Sequence, residues 1–491
     1  MKSRFLVLLF CVSLIASEAD IRAITIGAQT LTYADFNNVE DITTSISHVY
    51  FATTEGIISY NKNTQTWEQP FTSATGIDNE DVRRVWVNTF DDKLYTQTGM
   101  GNYEYDNVFD RWLSVAEVPQ LENNYVHIQP PPIMYAPPQY NYINNGTIVD
   151  PQGRSYQISD IIDDRTGNLW IGTWGLGAAV AGSSSDMIDL LPFGLLQNRV
   201  NAVYNDSGSL WVSGAALNNI RTGISVFNPD NNQFSYIESG LSPDFPSVDV
   251  NCIDGNGKAI YVGTTQGLLV FDPSSLQMTM TIDHTDGLPD DDVLSVKGIG
   301  DSIFVGTASG LMMFSNGADS SHLIHPRLFA NTEIYDFEVT DSSLWIAAET
   351  GAYQLLLRTG RLQRFQDPTG VIFGRVYSIR RWGNNIWFST DDGILRLNLN
   401  DGETQPFMSQ VSGFTYRALA VNDRIAAVSS LNGLTLYFLS NIDHPNQREF
   451  TIADGLPSSR IYSLLMDGDY LWIGSDKGLT RFLWNDPNRV D

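Results

Sequence analysis

A chain of 491 residues is too long for one ordinary hydrophobic core, so it holds several domains or one architecture that grows by repetition. Its hydrophobic fraction of 42% excludes wholesale disorder. A formal charge of −27 repels phosphate backbones and anionic lipid, which argues against nucleic acid and membrane surfaces as partners.

The first element is a leader. Lys2 and Arg4 precede an apolar run over residues 5–15, and Ser17 and Ala19 place small residues before a cleavage point after Ala19. The run is too short to span a bilayer. Residues 1–19 are therefore expected to be a signal peptide and 20–491 the exported protein, with no membrane span in the mature chain. A lone strand, "QTLTYADF" (residues 29–36), comes next.

From there the chain repeats itself. The strings "VYFATTEGIISY" (49–60), "LYTQTGMGNYEY" (94–105), "NLWIGTWGLG" (168–177), "SLWVSGAA" (209–216), "IYVGTTQGLLVFD" (260–272) and "IFVGTASGLMMF" (303–314) share one pattern. So do "LWIAAETGAYQL" (344–355), "IWFSTDDGILRL" (386–397), a decayed "IAAVSSLNGLTLY" (425–437) and "LWIGSDKGLTRF" (471–482). Their ring positions are Tyr50, Tyr95, Trp170, Trp211, Tyr261, Phe304, Trp345, Trp387, Ala426 and Trp472. Apart from one long step before Trp170, they recur about every 40–50 residues, the period of propeller blades.

Each copy alternates as a half-buried strand does. Leu169, Ile171 and Thr173 face one way, and Trp170 and Gly172 the other. A large ring beside a glycine suits sheets stacked face to face. A later glycine, as at Gly56, Gly267, Gly310, Gly393 and Gly478, supplies the positive φ of a tight hairpin. An alternating strand lies upstream ("RVNAVYND", "RIYSLLMD"), an aromatic strand downstream ("QFSYIE"), and Gly-Leu-Pro linkers ("DGLPDDDV", "DGLPSSRI") join the modules. Four strands per module define a blade. The predicted fold is all-β, a β-propeller of about ten four-stranded blades. The last module lacks a fourth strand, so the amino-terminal strand is expected to complete it and close one ring. Two smaller propellers are the alternative. Cys252 alone survives leader removal; it alternates with polar neighbours on an apolar strand face and reads as buried and inert.

The string Leu-Trp-Ile-Gly-Thr/Ser followed by Gly-Leu resembles the two-component regulator propeller repeats of periplasmic sensor regions. The resemblance covers nearly all of the mature chain. It implies a propeller at a bacterial periplasm or cell surface that recognises a glycan or an envelope protein. In the kinase relatives a β-sandwich, a membrane helix and signalling domains follow; none follows Trp472 here, so a stand-alone propeller is expected.

Signals for chemistry are weak. "GTWGLG" lies between strands, with neither the helix nor the lysine of a phosphate loop. "NDSGSLW" resembles the Asp-box hairpin, a fold element. His322 and His325, the one close histidine pair, fall on opposite faces of a strand. No catalytic residue, cofactor or metal site is expected. The strongest functional candidate is the insertion at about 117–156, whose seven prolines and five tyrosines suit a broad contact surface ordered at low entropic cost. Its Tyr125, His127, Tyr135, Tyr140 and Tyr142, with Trp174 at the next hairpin tip, are the candidate ligand-binding residues. A flap or plug packed on the propeller is the competing reading. The expected function is exported, non-enzymatic binding for sensing or scaffolding. The alternatives are a carbohydrate-active lyase or glycosidase, and an accessory part of an envelope secretion or assembly machine.

Overall fold

The computed structural model describes residues 30–77, 81–109, 111–121, 123–143, 146–182, 187–215, 221–242, 245–315, 320–408, 418–440 and 445–485. The leader lies outside them. Ten antiparallel sheets follow in chain order, and the only helical elements among the described residues are three short 3-10 turns. Sheets 1 and 2 span residues 39–67 and 82–115, sheet 3 spans 126–191, and sheets 4 to 6 span 202–238, 250–282 and 293–323. Sheets 7 to 9 span 334–364, 376–408 and 419–450. Sheet 10 joins residues 461–483 to the amino-terminal strand Thr30–Tyr33. Nine sheets have four strands, and the insertion extends sheet 3 to seven.

The hairpin logic is visible in detail. Thr264 Oγ donates to the carbonyl of Gly267 at 2.8 Å, and Gly267 takes φ +113°. Thr390 does the same to Gly393 at 2.9 Å. The ring-and-glycine pair sets the spacing between blades. Trp345 packs on Phe388 of the next blade, with ring centroids 5.6 Å apart. A β-carbon on Gly263 would lie 2.7 Å from Val293 of the next blade, and one on Gly306 would lie 2.6 Å from Ile334.

The amino-terminal clasp forms as expected. Thr30 pairs with Phe482 and Tyr33 with Leu479. The expectation of one circle of ten requires correction. The inner strands of sheets 4 to 10 follow one another, and that of sheet 10 returns against that of sheet 4. There the Val200 N–H donates to Ser475 O at 2.8 Å, and Trp472 stands edge-on to Phe227 at 6.2 Å. Sheets 3, 1 and 2 form a separate arc with sheet 1 in the middle: Ile42 N–H donates to Asp160 at 3.1 Å, and Val85 N–H to Asp41 at 3.0 Å. The division is thus seven and three rather than one circle of ten. The inner edge of sheet 10 is taken by sheet 4, so sheet 1 has no place beside it.

Arc and circle meet at a largely buried aromatic junction of Tyr33, Phe36, Trp67, Phe193 and Phe234. An ion-pair network reinforces it. Arg154, in the turn before the inner strand of sheet 3, pairs with Glu238 of sheet 4 at 2.8 Å, and Arg221 pairs with the other Glu238 oxygen at 2.7 Å. Burial pushes the Cys252 thiol pKa up, in keeping with an inert residue.

Candidate functional site

The insertion is part of a sheet. Val126–His127 pairs with the far end of the nine-residue strand Ser155–Asp163, and the hairpin Asn141–Ile143/Thr147–Val149 pairs with its start. Both additions sit on the inner edge of sheet 3, at the centre of the arc. Tyr125 is buried and shares a hydrogen bond with Thr43 Oγ at 2.9 Å. Tyr140 and Tyr142 pack on the core around Met134, Ile148 and Tyr156, and the Tyr142 hydroxyl donates to Pro131 O at 2.5 Å. Tyr135 stays exposed beside Met187. Trp174 is 43% exposed, and its N–H donates to Gln157 O. Tyr125 and His127 stand together, rings 5.6 Å apart, at one end of Ser155–Asp163, while the Trp174 backbone meets the other end.

His127 heads a cluster that crosses three segments. Its Nδ1 lies 2.9 Å from Asp160 Oδ1, and one ligand atom each from Asp41, His127 and Asp160 fall within 4.8 Å of one another. Burial pushes the Asp41 carboxyl up to about 6, with the Asp160 charge adding to it against the Val85 N–H bond. The hydrogen bond that the His127 ring donates to Asp160 raises His127 above the ordinary histidine value. Arg84 on sheet 2 is the other charge near Asp41 and His127. Both raised groups bind protons more tightly folded than unfolded, so both contribute stability at low pH. Asp41 loses its share as pH rises through about 6, and His127 loses its share at higher pH. The arc is therefore expected to be less stable at about pH 8 than at about pH 5. Urea melts in chelator-containing buffer across that range test this. Asp41→Asn and His127→Ala should each flatten the slope.

A cleft of about 210 Å³ lies between sheets 1 and 3, lined by Thr44, Lys62, Asn124 and Asp164 among others. Lys62 Nζ is engaged there, donating to Thr44 Oγ at 3.1 Å and Ser45 O at 2.6 Å.

A second convergence, which sequence reasoning missed, lies at one end of the seven-sheet circle. Tyr335 and Tyr377 begin neighbouring inner strands, with ring centroids 5.3 Å apart. The Tyr335 hydroxyl donates to Glu333, and the Tyr377 hydroxyl to Asp391 at 2.9 Å. Arg375 pairs with Glu349 at 3.1 Å. Next along, Asp292 accepts from Asn251 at 2.8 Å, and its carboxyl is raised by burial and by the nearby Asp290 and Glu333 charges. Farther round, Arg199 lies over Tyr462 at 4.6 Å. A signal was present in "EIYDF", "RVYSI" and "RIYSL", which put a tyrosine at the same offset in three blades.

Comparison with known proteins agrees with a propeller fold. The two-component regulator propeller family matches residues 152–175 and 455–477, so the chain carries these repeats. Among solved structures, PorZ, a surface component of the type-IX secretion system of Porphyromonas gingivalis, is 13% identical with a TM-score of 0.59, covering 92% of this chain and 87% of PorZ. The extracellular domain of the putative hybrid two-component system BT4673 from B. thetaiotaomicron is 14% identical (TM-score 0.49; 92% and 70% covered). That of BT3049 from the same organism is 17% identical (TM-score 0.48; 92% and 68% covered). No curated protein matches. The chain is a β-propeller with two stretches that match the two-component regulator propeller model. No described helix is long and apolar enough to cross a membrane.

Proposed function

We propose that this protein is an exported, non-enzymatic recognition propeller of the periplasm or cell surface, and that it binds a glycan through the end of the circle around Tyr335 and Tyr377. The observation that carries this reading is the tyrosine pair, flanked by Glu333, Glu349, Arg375 and Asp391 on consecutive blades. Aromatic faces ringed by polar groups suit sugar rings, which offer apolar C–H faces and hydroxyl edges. The acids are engaged by tyrosine hydroxyls and arginine, which favours binding over acid–base chemistry. The exposed His127, Tyr135 and Trp174 would add contacts on the arc. A glycan array probed with the mature chain tests the reading. Tyr335→Ala with Tyr377→Ala should weaken any hit by at least about tenfold, at unchanged thermal midpoint. An array without hits, or hits indifferent to both changes, would overturn it.

A second reading is assembly within an envelope machine. It draws on the similarity to PorZ, a secretion-system component, and on a specific observation. Ile46, Phe90, Val108 and Phe109 stay exposed on turns of sheets 1 and 2, and the Ile46 and Phe90 turns touch through a backbone hydrogen bond from Ile46 to Thr89. Exposed apolar side chains on adjoining turns such as those of Ile46 and Phe90 favour a protein partner.

A further inference from the structure

We propose that Asp41, His127 and Asp160 hold a divalent transition-metal ion at the centre of the three-sheet arc, and that the ion fastens the insertion strand Val126–His127 to the inner strands of sheets 1 and 3. Three segments far apart in the chain bring one ligand atom each to within 4.8 Å of the others. Donors at roughly 2.0–2.2 Å from one ion in tetrahedral array lie about 3.3–3.6 Å apart, so a closure of about 1 Å brings all three onto one ion. The carboxylates are already aimed. One Asp41 oxygen accepts from Val85 N–H and one Asp160 oxygen from Ile42 N–H, which fixes both planes as outer-shell hydrogen bonds do in metal centres. Asp160 Oδ1 faces His127 Nδ1, and the second Asp41 oxygen is left for a ligand.

The donor set selects the ion. One imidazole and two carboxylates suit Zn2+ or Mn2+ and supply too few oxygens for Ca2+. Two carboxylates from different blades converge beside His127, and a dication would offset their charges. The half-exposed His127 side leaves room for water to fill the remaining coordination positions. The one other such trio among the described residues, Asp283, His284 and Asp291, differs in kind. It is local to a single linker. Asp283 caps Thr285 N–H at 2.7 Å, and Asp291 accepts from the His284 backbone N–H at 2.7 Å. Turn geometry explains it without an ion.

Calorimetric titration of the chelator-treated mature chain with Zn2+, and separately Mn2+, tests the assignment. One ion per chain and a raised thermal midpoint are expected for the wild type. His127→Ala and Asp160→Asn should weaken binding at least about a hundredfold, and His284→Ala should leave it unchanged. Arg84→Gln keeps every ligand and should tighten binding, an effect that a merely unfolded arc would not produce. Absence of stoichiometric binding by both ions, undiminished binding in His127→Ala, or equal loss in His284→Ala would overturn the assignment.

Discussion

Glu238→Ala is expected to destabilise the join between arc and circle by about 3–5 kcal/mol, because it takes from the buried Arg221 its paired carboxylate and from Arg154 one of two. The Glu238 side chain is 4% exposed and divides its oxygens between Arg154 and Arg221, themselves 21% and 11% exposed. Arg221 also donates to Asn37 at 3.1 Å, and Arg154 holds Asp150 at 2.5 Å. One carboxylate thereby ties the turn of sheet 3 to sheet 4 and to the segment entering sheet 1. Urea denaturation should change from one transition to two, the arc unfolding first. Limited proteolysis should then cut the arc while the seven-sheet circle resists. A single transition at the wild-type midpoint would show that the aromatic junction alone holds the halves together.

Tyr33→Ala should cost a similar amount, about 3–5 kcal/mol for loss of a buried aromatic ring. Tyr33 is 1% exposed, lies 4.4 Å from the Phe227 ring, and approaches Phe193, Phe234 and Trp472. Its hydroxyl donates to Asn232 at 2.9 Å, and its backbone pairs with Leu479. The residue thus serves the clasp and the junction together. Tyr33→Phe keeps the ring and should cost only about 1 kcal/mol. Hydrogen exchange offers a local readout: amides of Gly478–Leu483 should lose protection in the alanine variant and keep it in the phenylalanine variant. Unchanged protection in both would mean that the clasp contributes little to holding sheet 10.

Much of the blade was legible because a blade is a local object. Alternation in "LWIGSDKGLTRF" set the strand faces, and the glycine after Ser475 set the hairpin. Even the decayed copy forms strand Ile425–Ser430, since Ile425, Ala427 and Leu434 still fill the core and Ala426 leaves the register intact. The functional residues were harder. The insertion drew attention by its length and tyrosines, yet several of those rings are used for packing: Tyr125 reaches Thr43, and Tyr142 reaches Pro131. The Tyr335–Tyr377 pair escaped because each tyrosine alone reads as an ordinary alternating strand residue. Only curvature brings the two rings together.

What the chain determines by itself is the repeating unit: strand period, hairpin glycine, ring beside small residue, and a lone first strand matched to an incomplete last blade. These depend on neighbours a few residues apart, where periodicity carries the information. The tertiary structure alone decided that ten blades divide into seven and three, and that Asp41, His127 and Asp160 meet. Those outcomes turn on which inner edge packs on which, as where Val200 takes the place beside Ser475. Every blade offers much the same edge, so no local pattern distinguishes the neighbour it will find.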